Sequence, residues 1–510
     1  MRLSQLVAGF SITPTGADPE ITGLSEDSRR IGRGMLFIAV RGTSLDGHAY
    51  IGDAIARGAA AVVAERTGAI PAGVPVVRVP SSRDALALLA TRYFKTRPPL
   101  SLIGFTGTFG KTSTSDILRR LLDAGGQRTG VLGSLGARYQ DFYDPGEGLT
   151  TPAPVELHRA LRGLADAGAT TVILEVTSHA LRLGRVNGLR FDGGLLAAIM
   201  PGEHTDFHRS YEDYIEAKRL FLAELGPAAP LAYDADNLAA RRLITEPADQ
   251  SAHAHGHGHW RAHAAISSSS STFPRRAIGF TLEGRDARYG DLQFYDVLID
   301  GKGATFSLGG GALGTQSGIR LHSPLLGRGH LRNVALALTY AIGTGLPART
   351  ARDVIASLAP LRRRMERYDA GGRTILDDTA AHPNSLKAAF EVAAMLPHRA
   401  MTAVYGIRGR RGADINRQNA MSLADLCCLH GVEPLIVTSA SDRVGLLDTP
   451  TAEEVDVTRQ ALVTRGRRFV WHDMLGDAVR EAWARTDAGD LILLLGAQGM
   501  NEAKALLNSA

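Results

Sequence analysis

Cysteine is nearly absent from this chain of 510 residues. Its two cysteines, Cys427 and Cys428, are adjacent, so they form neither a CxxC metal motif nor the disulfide framework of a small secreted protein. The N-terminus lacks the basic region and apolar core of a signal peptide, and no run of about 18 apolar residues occurs anywhere. These absences predict a cytoplasmic protein without a membrane segment.

Charge and composition narrow the class of protein further. The 57 lysines and arginines exceed the 52 aspartates and glutamates by 57 − 52 = 5, and the arginines are spread along the chain. This mild balance gives no reason to expect a nucleic-acid partner. Hydrophobic residues make up 44% and charged residues 21%, as in ordinary globular proteins. The length suggests about three domains, and nothing indicates an oligomeric state.

The most informative stretch is LIGFTGTFGKTSTSDIL, residues 102–118. An apolar run enters a glycine-rich loop, and Lys111 and Thr112 open a segment with helical spacing of its apolar residues. Such a loop binds phosphates because glycines let backbone N–H groups approach oxyanions, a lysine reaches the terminal phosphates and a hydroxyl can ligate magnesium. Phe105 stands where the strict Walker spacing requires glycine, so the loop is a variant. A glycine-rich turn without a ligand is the alternative.

Polar side chains follow two further apolar strands. Glu175 lies near the end of the predicted strand 171–176, and the cluster EHTDFH, residues 203–208, follows another strand. Ligand-binding groups collect at the carboxyl ends of parallel strands, so Glu175 is a candidate second magnesium ligand. A strand-end cap or a salt bridge is the alternative for it. Lys218 alone would be read as a solvated helical lysine, but beside a phosphate loop it is a catalytic candidate.

These motifs resemble the Mur ligase family in their order and spacing. They are GTFGKT, TTP, EVTSHAL followed by Arg185, EHTDFH and EAKRLF. The stretch GLSEDSRRIGRGMLFIAVRG is similar to the nucleotide-sugar-binding domain of the branch that adds the third residue of the peptidoglycan stem peptide, and the resemblance spans essentially the whole chain. It implies an α/β fold of three-domain Mur ligase architecture, with a central P-loop parallel-sheet domain and a C-terminal Rossmann-like domain. The implied domains are 1–98 for the nucleotide-sugar substrate, 99–345 for ATP and 346–510 for ligation.

The resemblance also implies the reaction. Mur ligases use ATP and Mg²⁺ to convert a carboxylate into an acyl phosphate, which an amine opens to an amide with release of ADP and phosphate. Metal ions and cations suit this task because charge builds on the transferring phosphoryl oxygens.

The residues implied for this chemistry fall into four groups. The catalytic residues are Lys111, Glu175, His204 and Lys218. The nucleotide-binding residues are Gly107, Thr108, Gly110, Lys111, Thr112, Ser113, Asn333, Arg364 and Asp378. The magnesium ligands are Thr112, Glu175, His204 and a carbamylated Lys218. The substrate contacts are Ser28, Thr150, Thr151, Thr177, Arg185 and Arg443.

Several positions depart from the family pattern. Phe109 stands where Asn is usual, and AIMPG, residues 198–202, replaces Thr-Asn-Leu-x-Arg. His330 replaces an Asn in a segment that we expect to precede the helix 334–344. The stretch RRRMER, residues 362–367, resembles the family's Pro-Gly-Arg-Met-Glu entry and keeps Arg364, Met365 and Glu366. Ala381 replaces the usual His of an Asp-Asp-Tyr-x-His-x-Pro loop. The phosphate and metal positions survive, which favours an active enzyme.

The pocket for the incoming amino acid matches least. Family members that add diaminopimelate have Asp-Asn-Pro-Arg and Gly-Lys-Gly-His-Glu, whereas this chain has ASDR at 440–443 and AQGMN at 497–501. A zwitterionic diamino acid needs an arginine for its carboxylate and an acid for its distal ammonium. Arg443 supplies the first, but Asn501 stands in place of the acid, which argues against diaminopimelate.

Residues 247–276 are of low complexity, with five histidines between His253 and His263 and five consecutive serines from Ser267. Histidine-rich tracts can bind metal ions. The surrounding sequence lacks a core pattern, however, so we predict a disordered surface insertion. Strands are expected between 277 and 308, and a flexible turn at 309–311.

Three functions compete on this sequence. The first is a stem-peptide ligase of peptidoglycan and cell-wall synthesis, which joins a nucleotide-sugar peptide to an amino acid. The second is the same chemistry on another acyl substrate in a specialised metabolite pathway. The third is a non-catalytic nucleotide-binding paralogue, motivated by Phe109, Ala381 and Gln498. The preserved motifs favour ligase chemistry and do not rank the substrates.

Overall fold

The structure is a computed structural model that describes residues 1–10, 17–42, 45–66, 73–95, 100–202, 207–246, 276–282, 290–310, 315–445 and 448–507. His204 and nearly all of the histidine- and serine-rich segment lie outside these ranges. The strands form three sheets that follow one another along the chain. The predicted α/β fold is thereby confirmed. In the described ranges no helix has the length and hydrophobicity needed to span a membrane.

The first sheet has four parallel strands in the order β1-β2-β3-β4. They are β1 (Leu24–Ser25), β2 (Leu36–Ile38), β3 (Ala61–Ala64) and β4 (Val76–Arg78), accompanied by helices α1 (Leu3–Leu6), α2 (Ile51–Ala56) and α3 (Ser82–Phe94). The apolar runs MLFIAV (35–40), AAVV (60–63) and VPVVRV (74–79) contain β2, all but the last residue of β3, and β4, respectively. Every residue of β2 and β3 is buried, as expected for a parallel sheet covered on both faces.

The second, central sheet has eleven strands in the order β15-β14-β13-β12-β11-β10-β5-β9-β6-β7-β8. The strands are β5 (Ser101–Thr106), β6 (Thr129–Gly133), β7 (Gly136–Tyr139), β8 (Phe142–Asp144), β9 (Thr171–Glu175), β10 (Gly193–Leu196), β11 (Pro230–Asp234), β12 (Arg276–Leu282), β13 (Leu292–Asp300), β14 (Gly303–Gly310) and β15 (Thr315–Ser323). From β6 to β13 neighbouring strands are parallel, and antiparallel strands extend both edges.

The helices of this part pack on both faces of the central sheet. They are α4 (Lys111–Ala124), α5 (Pro154–Asp166), α6 (Ser178–Arg182), α7 (Tyr211–Ala223), α8 (Leu238–Thr245), α9 (Gly327–Gly343) and α10 (Ala348–Ala356). The core on one face includes apolar side chains of α4 and α9, and the core on the other includes those of α5 and α7. Because β5, β9 and β10 run parallel, their carboxyl ends meet at one edge.

Two predictions about this part are wrong. The helix expected at 334–344 begins at Gly327, so His330 and Asn333 lie within α9. No side chain caps its start, and glycine is a poor helix former, so the sequence signal appears only after the true beginning. Gly309 and Gly310 extend β14 instead of forming a turn, and Gly310 pairs with β15.

The third sheet has six strands in the order β16-β17-β21-β18-β19-β20, parallel except for β16. They are β16 (Glu366–Ala370), β17 (Arg373–Asp378), β18 (Met401–Gly406), β19 (Leu435–Thr438), β20 (Phe469–His472) and β21 (Leu491–Gly496). The helices are α11 (Pro383–Met395), α12 (Ala413–Leu429), α13 (Ala452–Thr464), α14 (Leu475–Ala484) and α15 (Ala503–Leu507). The predicted doubly wound arrangement is present, with one antiparallel edge.

The first and central sheets are joined through α3 and α5. The Thr91 hydroxyl and His158 Nε2 lie 3.1 Å apart, and Asn187 donates to Asp84 over 2.9 Å. Burial lowers the pKa of His158 to about 4, so this histidine is neutral at ordinary pH. A neutral imidazole suits the apolar surroundings of this junction.

Candidate active site

The phosphate loop joins the carboxyl end of β5 to α4, as predicted. Thr108 donates its N–H to the carbonyl of Ala198 (3.0 Å). Its hydroxyl accepts the N–H of Met200 (2.9 Å) and lies 2.9 Å from the Tyr214 hydroxyl. The segment containing Ala198 and Met200 therefore holds the loop through backbone groups, which its changed side chains leave intact.

Two glycines of the loop are required by their neighbours. Gly110 has φ +81°, and a Cβ there would lie 2.1 Å from Oδ1 of Asn333. A Cβ on Gly107 would lie 2.6 Å from that of Ala197. Asn333, a predicted nucleotide contact, thus packs directly on the loop from α9. Ser113, another such prediction, is buried in the first turn of α4.

Glu175 lies at the end of β9 and is 1% exposed. Its Oε2 accepts the hydroxyls of Thr112 (3.1 Å) and Ser134 (3.2 Å). No described residue hydrogen-bonds its Oε1, and a Cβ on Gly133 would come within 2.2 Å of that atom. Burial raises the pKa of Glu175, while the charge of Lys111 and these hydrogen bonds act in the opposite direction. The site therefore holds a buried carboxyl group, one oxygen of which has no hydrogen-bond partner among the described residues.

Both predicted catalytic lysines contact the same carbonyl of the loop. Lys111 Nζ and Lys218 Nζ each donate to the oxygen of Gly107 over 3.0 Å. Lys218 also lies 3.4 Å from the hydroxyl of Thr106 and 4.6 Å from the ring centroid of Tyr214. Its side chain is 1% exposed. The solvated lysine considered as the alternative is excluded, because α7 places Lys218 behind the phosphate loop.

Two histidines, His204 and His208, follow β10. His204 lies outside the described residues, so its predicted role stays a prediction. His208 is buried, its Nε2 is 2.9 Å from the Ser178 hydroxyl, and its Nδ1 is 3.5 Å from a carboxylate oxygen of Asp213. Burial lowers the pKa of His208. Within the described ranges no three His, Cys, Asp or Glu side chains cluster as a metal site.

The four predicted acyl-substrate contacts of the central sheet form one network. Thr151 donates its hydroxyl to the backbone carbonyl of Glu175 (2.9 Å) and accepts the N–H of Thr177 (3.0 Å). Arg185 donates to the carbonyl of Thr151 (2.8 Å). The Thr150 hydroxyl is 2.9 Å from that of Ser134, which itself donates to Glu175. The network ties these residues to the strand end that carries the buried carboxyl group.

A cleft of about 740 Å³ lies between the first and central sheets. Its lining residues include Ser25, Glu26, Asp27, Arg29, Arg30, Met35, Glu147, Glu156 and Arg159. Ser28, the predicted substrate contact, lies in the short turn at this wall but is only 8% exposed. Arg30 pairs with Glu147 and Glu156, and burial raises the pKa of Glu26, helped by these neighbouring carboxylates.

Two further predicted residues come from the third sheet. Arg364 donates to the hydroxyl of Thr379, and Asp378 accepts the N–H of Met365 (2.8 Å). Burial raises the pKa of Asp378 to about 6, while the charge of Arg364 lowers it. The same arginine also lowers the pKa of Glu175. The third sheet therefore lies close enough to the phosphate loop to act on it electrostatically.

Comparison with known proteins identifies the family. Three family profiles match consecutive parts of the chain: "Mur ligase family, catalytic domain" at 20–94, "Mur ligase middle domain" at 105–341 and "Mur ligase, glutamate ligase domain" at 363–498. A UDP-N-acetylmuramyl-tripeptide synthetase of Roseiflexus is 31% identical, covering 94% of this chain and 90% of the relative. This chain belongs to the Mur ligase family. It is therefore an ATP-dependent ligase, as predicted.

Other relatives agree with this assignment. A UDP-N-acetylmuramoyl-L-alanyl-D-glutamate--2,6-diaminopimelate ligase of Bacillus licheniformis is 29% identical, over 97% of this chain and 94% of its own length. A solved structure bearing the same enzyme name superimposes with a TM-score of 0.63 at 23% identity, over 96% of this chain and 95% of the other. A MurF ligase from Thermotoga maritima in complex with ADP reaches 0.61 at 19%, over 96% and 98%. These two structures share the fold.

In this Mur ligase Arg443, the predicted contact for the carboxylate of the incoming amino acid, is already paired. Its guanidinium donates to Asp442 (2.9 Å) and to Glu502. Sequence reasoning considered only Asn501 as the replacement for the family's acid and overlooked the glutamate that follows it. An acid therefore does stand beside Arg443, displaced by one position along the chain.

Arg363 is a second residue that sequence reasoning missed. It occupies the place of a glycine in the family's Pro-Gly-Arg-Met-Glu stretch, has φ +57° and is 3% exposed. Its guanidinium donates to Asp377 (3.0 Å), the carbonyl of Gly496 (2.6 Å) and Oδ1 of Asn501 (2.7 Å). Two departures from the family pattern, an arginine for a glycine and an amide for an acid, thus bond to each other. Each was visible in the sequence, but their contact was not.

Proposed function

We propose that this Mur ligase activates the carboxylate of a UDP-N-acetylmuramoyl dipeptide and joins it to the amine of an amino acid. The carboxylate attacks the γ-phosphate of ATP, which releases ADP and forms an acyl phosphate. The amine then attacks the acyl carbon, phosphate leaves and an amide remains. The names of the relatives, which are ligases of UDP-N-acetylmuramoyl peptides, support this substrate class. We retain 1–98, 99–345 and 346–510 as the proposed domains.

The observation on which this proposal rests is the pair formed by Thr112 and Glu175. The hydroxyl and the carboxyl group lie at neighbouring strand ends, and their oxygens are the hard donors that magnesium prefers. Oε1 of Glu175 is buried without a hydrogen-bond partner among the described residues, and the carboxyl group packs directly against the backbone of Gly133. A magnesium ion held there would neutralise charge on the transferring phosphoryl group.

The two lysines are proposed to serve different steps. Lys111 can exchange its carbonyl partner for phosphate oxygens, which form stronger, charge-assisted hydrogen bonds with an ammonium group. For Lys218 we propose carbamylation: the unprotonated Nζ attacks CO2, loses a proton and becomes a carbamate anion. Together with His204, this anion would complete the magnesium ligands. The burial of Lys218 against the loop supports a role in the site rather than on the surface.

Different residues are assigned to the nucleotide and to the incoming amino acid. We propose that Asn333, Arg364 and Asp378 contact the nucleotide. For the amine we propose that Arg443 receives the carboxylate of the incoming amino acid, while Glu502 is the nearby acid. Because the oxygen of Asn501 accepts from Arg363 and the carboxylate of Glu502 is paired with Arg443, an amino acid other than diaminopimelate is proposed.

A second candidate is the same reaction on a different acyl substrate. The cleft between the first and central sheets is lined by four acids, Glu26, Asp27, Glu147 and Glu156, against three arginines. A nucleotide diphosphate would have to approach these carboxylates, and like charges repel. This lining favours a less anionic acyl substrate.

A substrate screen tests the proposal and separates the two candidates. We would supply Mg·ATP with UDP-N-acetylmuramoyl dipeptide and each amino acid in turn, and measure ADP and new amides by mass spectrometry. T112S keeps the hydroxyl and is expected to retain turnover, whereas T112V is expected to lose about 100-fold. Absence of ADP with every amino acid would reject the dipeptide substrate, and equal activity of T112V would reject the proposed site.

A further inference from the structure

One aromatic contact joins the phosphate loop to the third sheet. The ring centroids of Phe109 and His382 lie 5.6 Å apart, with the ring planes at 51°. Phe109 projects from the loop immediately before Gly110. His382 lies between the carboxyl end of β17 and the start of α11. The contact therefore links the segment proposed to hold the phosphates to the sheet that supplies Asp378.

Neither ring belongs to the family pattern. Phe109 replaces an Asn, and Ala381 replaces the histidine of the Asp-Asp-Tyr-x-His-x-Pro loop, so that a histidine stands one place later, at 382. The two changes lie far apart in the sequence and touch in space. The ring at 109 therefore lies against a ring at 382.

Hydrogen bonds hold the segment that carries each ring. Nδ1 of His382 accepts the N–H of Asn384 (3.3 Å) at the start of α11, and the residue is 5% exposed. The loop that carries Phe109 is held through Thr108, whose N–H donates to Ala198. Phe109 itself is 36% exposed, so the imidazole provides part of its cover. Movement of either segment would separate the rings and expose Phe109.

We propose that Phe109 and His382 are positioning residues of the ligase reaction, which fix the phosphate loop against the third sheet. This inference rests on the proposed phosphate chemistry at the loop. A loop held from both sides keeps its N–H groups and Lys111 aligned with the transferring phosphoryl group, and misplacement by about 1 Å is costly in such sites. The expected signature is a loss of kcat with little change in nucleotide affinity.

Two substitutions remove the ring contact without removing other functions. F109L keeps an apolar side chain, and H382N keeps a capping acceptor at the start of α11, because Asn is a good N-cap residue. The interaction free energy of an aromatic pair corresponds to a factor of about 2 to 10 in an equilibrium constant. We expect each single variant to lower kcat by that factor, to leave the Kd of Mg·ADP nearly unchanged, and to add nothing when combined.

The chain offers a matched control. Phe390 and His430 have centroids 5.6 Å apart at 45°, within the third-sheet region and away from the loop. H430A should leave kcat unchanged. The proposal would be overturned if the losses of kcat in F109L and H382N multiplied in the double variant, or if either single variant kept the wild-type kcat. An equal loss of kcat in H430A would also overturn it.

A second readout does not need turnover. In F109W the new indole should lie against His382. The chain has three other tryptophans, so the emission of the new indole is taken as the difference between each F109W variant and the same variant with Phe109. Adding H382N should shift this difference spectrum to the red, while adding H430A should not. An unshifted spectrum would overturn the contact. If no substrate yields ADP, the proposed function fails, and the contact is judged by this spectrum alone.

Discussion

Three buried carboxyl groups of this enzyme differ in what surrounds them. Asp377 is paired with the guanidinium of Arg363, and Asp378 accepts a backbone N–H beside Arg364. Glu175 receives two hydroxyl hydrogen bonds, and Lys111 and Arg364 act on it through their charges. Glu175 and Asp377 each have one oxygen without a hydrogen-bond partner in the described part of the chain. A buried carboxylate needs compensation, and among these three the proposed magnesium ion would supply it for Glu175.

Asp378 gives a prediction about pH. Its pKa is about 6 in the folded protein against an ordinary 3.8, so the folded state binds the proton more tightly. The stability of the wild type should therefore fall as pH rises from about 4 to about 6 and level off above, by at most about 3 kcal/mol from this group. D378N has no carboxyl group at this position, so its free energy of unfolding should lack this dependence on pH. Its melting temperature, relative to the wild type, should rise across that interval and then stay constant.

The same substitution should weaken catalysis, which separates function from stability. If Asp378 contacts the nucleotide as a carboxylate, D378N is expected to lower kcat/KM for ATP by about 10-fold or more at pH 8. A variant that is more stable and equally active would contradict the proposed nucleotide contact. A relative melting temperature independent of pH would contradict the buried, protonated form.

Lys218 gives a prediction about its own chemistry. K218A should lose turnover by about 100-fold or more, because a metal ligand is removed, while binding of ADP changes little. Wild-type activity should depend on bicarbonate, and intact-mass analysis should detect the added CO2. K218R is the matched control: it keeps a cation but cannot form the carbamate, and should be as inactive as K218A. Normal turnover in either variant would show that the assignment is wrong.

At the level of single residues, the sequence predicted site residues that belong to motifs. It did not predict contacts between residues that are distant in the sequence and close in the folded protein. Glu175 and Lys218 stood at predictable places, a strand end and a helix after a strand, and resemblance supplied their partners. Arg363 contacts Asn501, and Phe109 contacts His382, across long sequence separations. No local pattern encodes such pairs, because each arises from the packing of different elements.

At the level of elements, the start of α4 depends on α9. G110A would place its Cβ 2.1 Å from Asn333 and hold a non-glycine residue at φ +81°. Gly126, after the end of α4, has φ +85° with nothing within 4 Å of a Cβ, so G126A measures the backbone strain alone, about 1 kcal/mol. We expect G110A to weaken ADP binding at least 10-fold and G126A to leave it unchanged. Equal binding by G110A and the wild type would show that the loop can move aside.

In the third sheet, the sequence indicates the strands in which every residue is buried more clearly than the strands that are only partly buried. β18 and β21 are buried throughout and appear in the sequence as continuous apolar runs. β16 alternates half-buried and exposed residues at a sheet edge, and β20 is half-buried throughout. The sequence of β16, ERYDA, is largely polar and gives little strand signal, because an edge strand is held by pairing to a neighbour rather than by apolar side chains. The early start of α9 has a similar cause, since tertiary packing overrides the poor helix propensity of glycine.

For the whole molecule, the decisive feature is that the third sheet reaches the phosphate loop. Phe109 meets His382, and the charge of Arg364 acts on Glu175. Interfaces between domains of one chain are generally small and polar enough to open, so relative motion is the expected behaviour. A nucleotide that contacts both Lys111 and Asp378 would favour the closed arrangement, because only that arrangement offers both contacts.

This gives a prediction for small-angle X-ray scattering. The radius of gyration should decrease when Mg·ATP analogue and acyl substrate are added together, and the curve with ligands should fit the arrangement in which Phe109 touches His382. At saturating ligand the combined variant F109L/H382N should show a smaller decrease, because it lacks the contact that favours closure. H430A should follow the wild type. A scattering curve that does not change with ligands would show that the third sheet is already fixed against the loop, and closure would then play no part in the reaction.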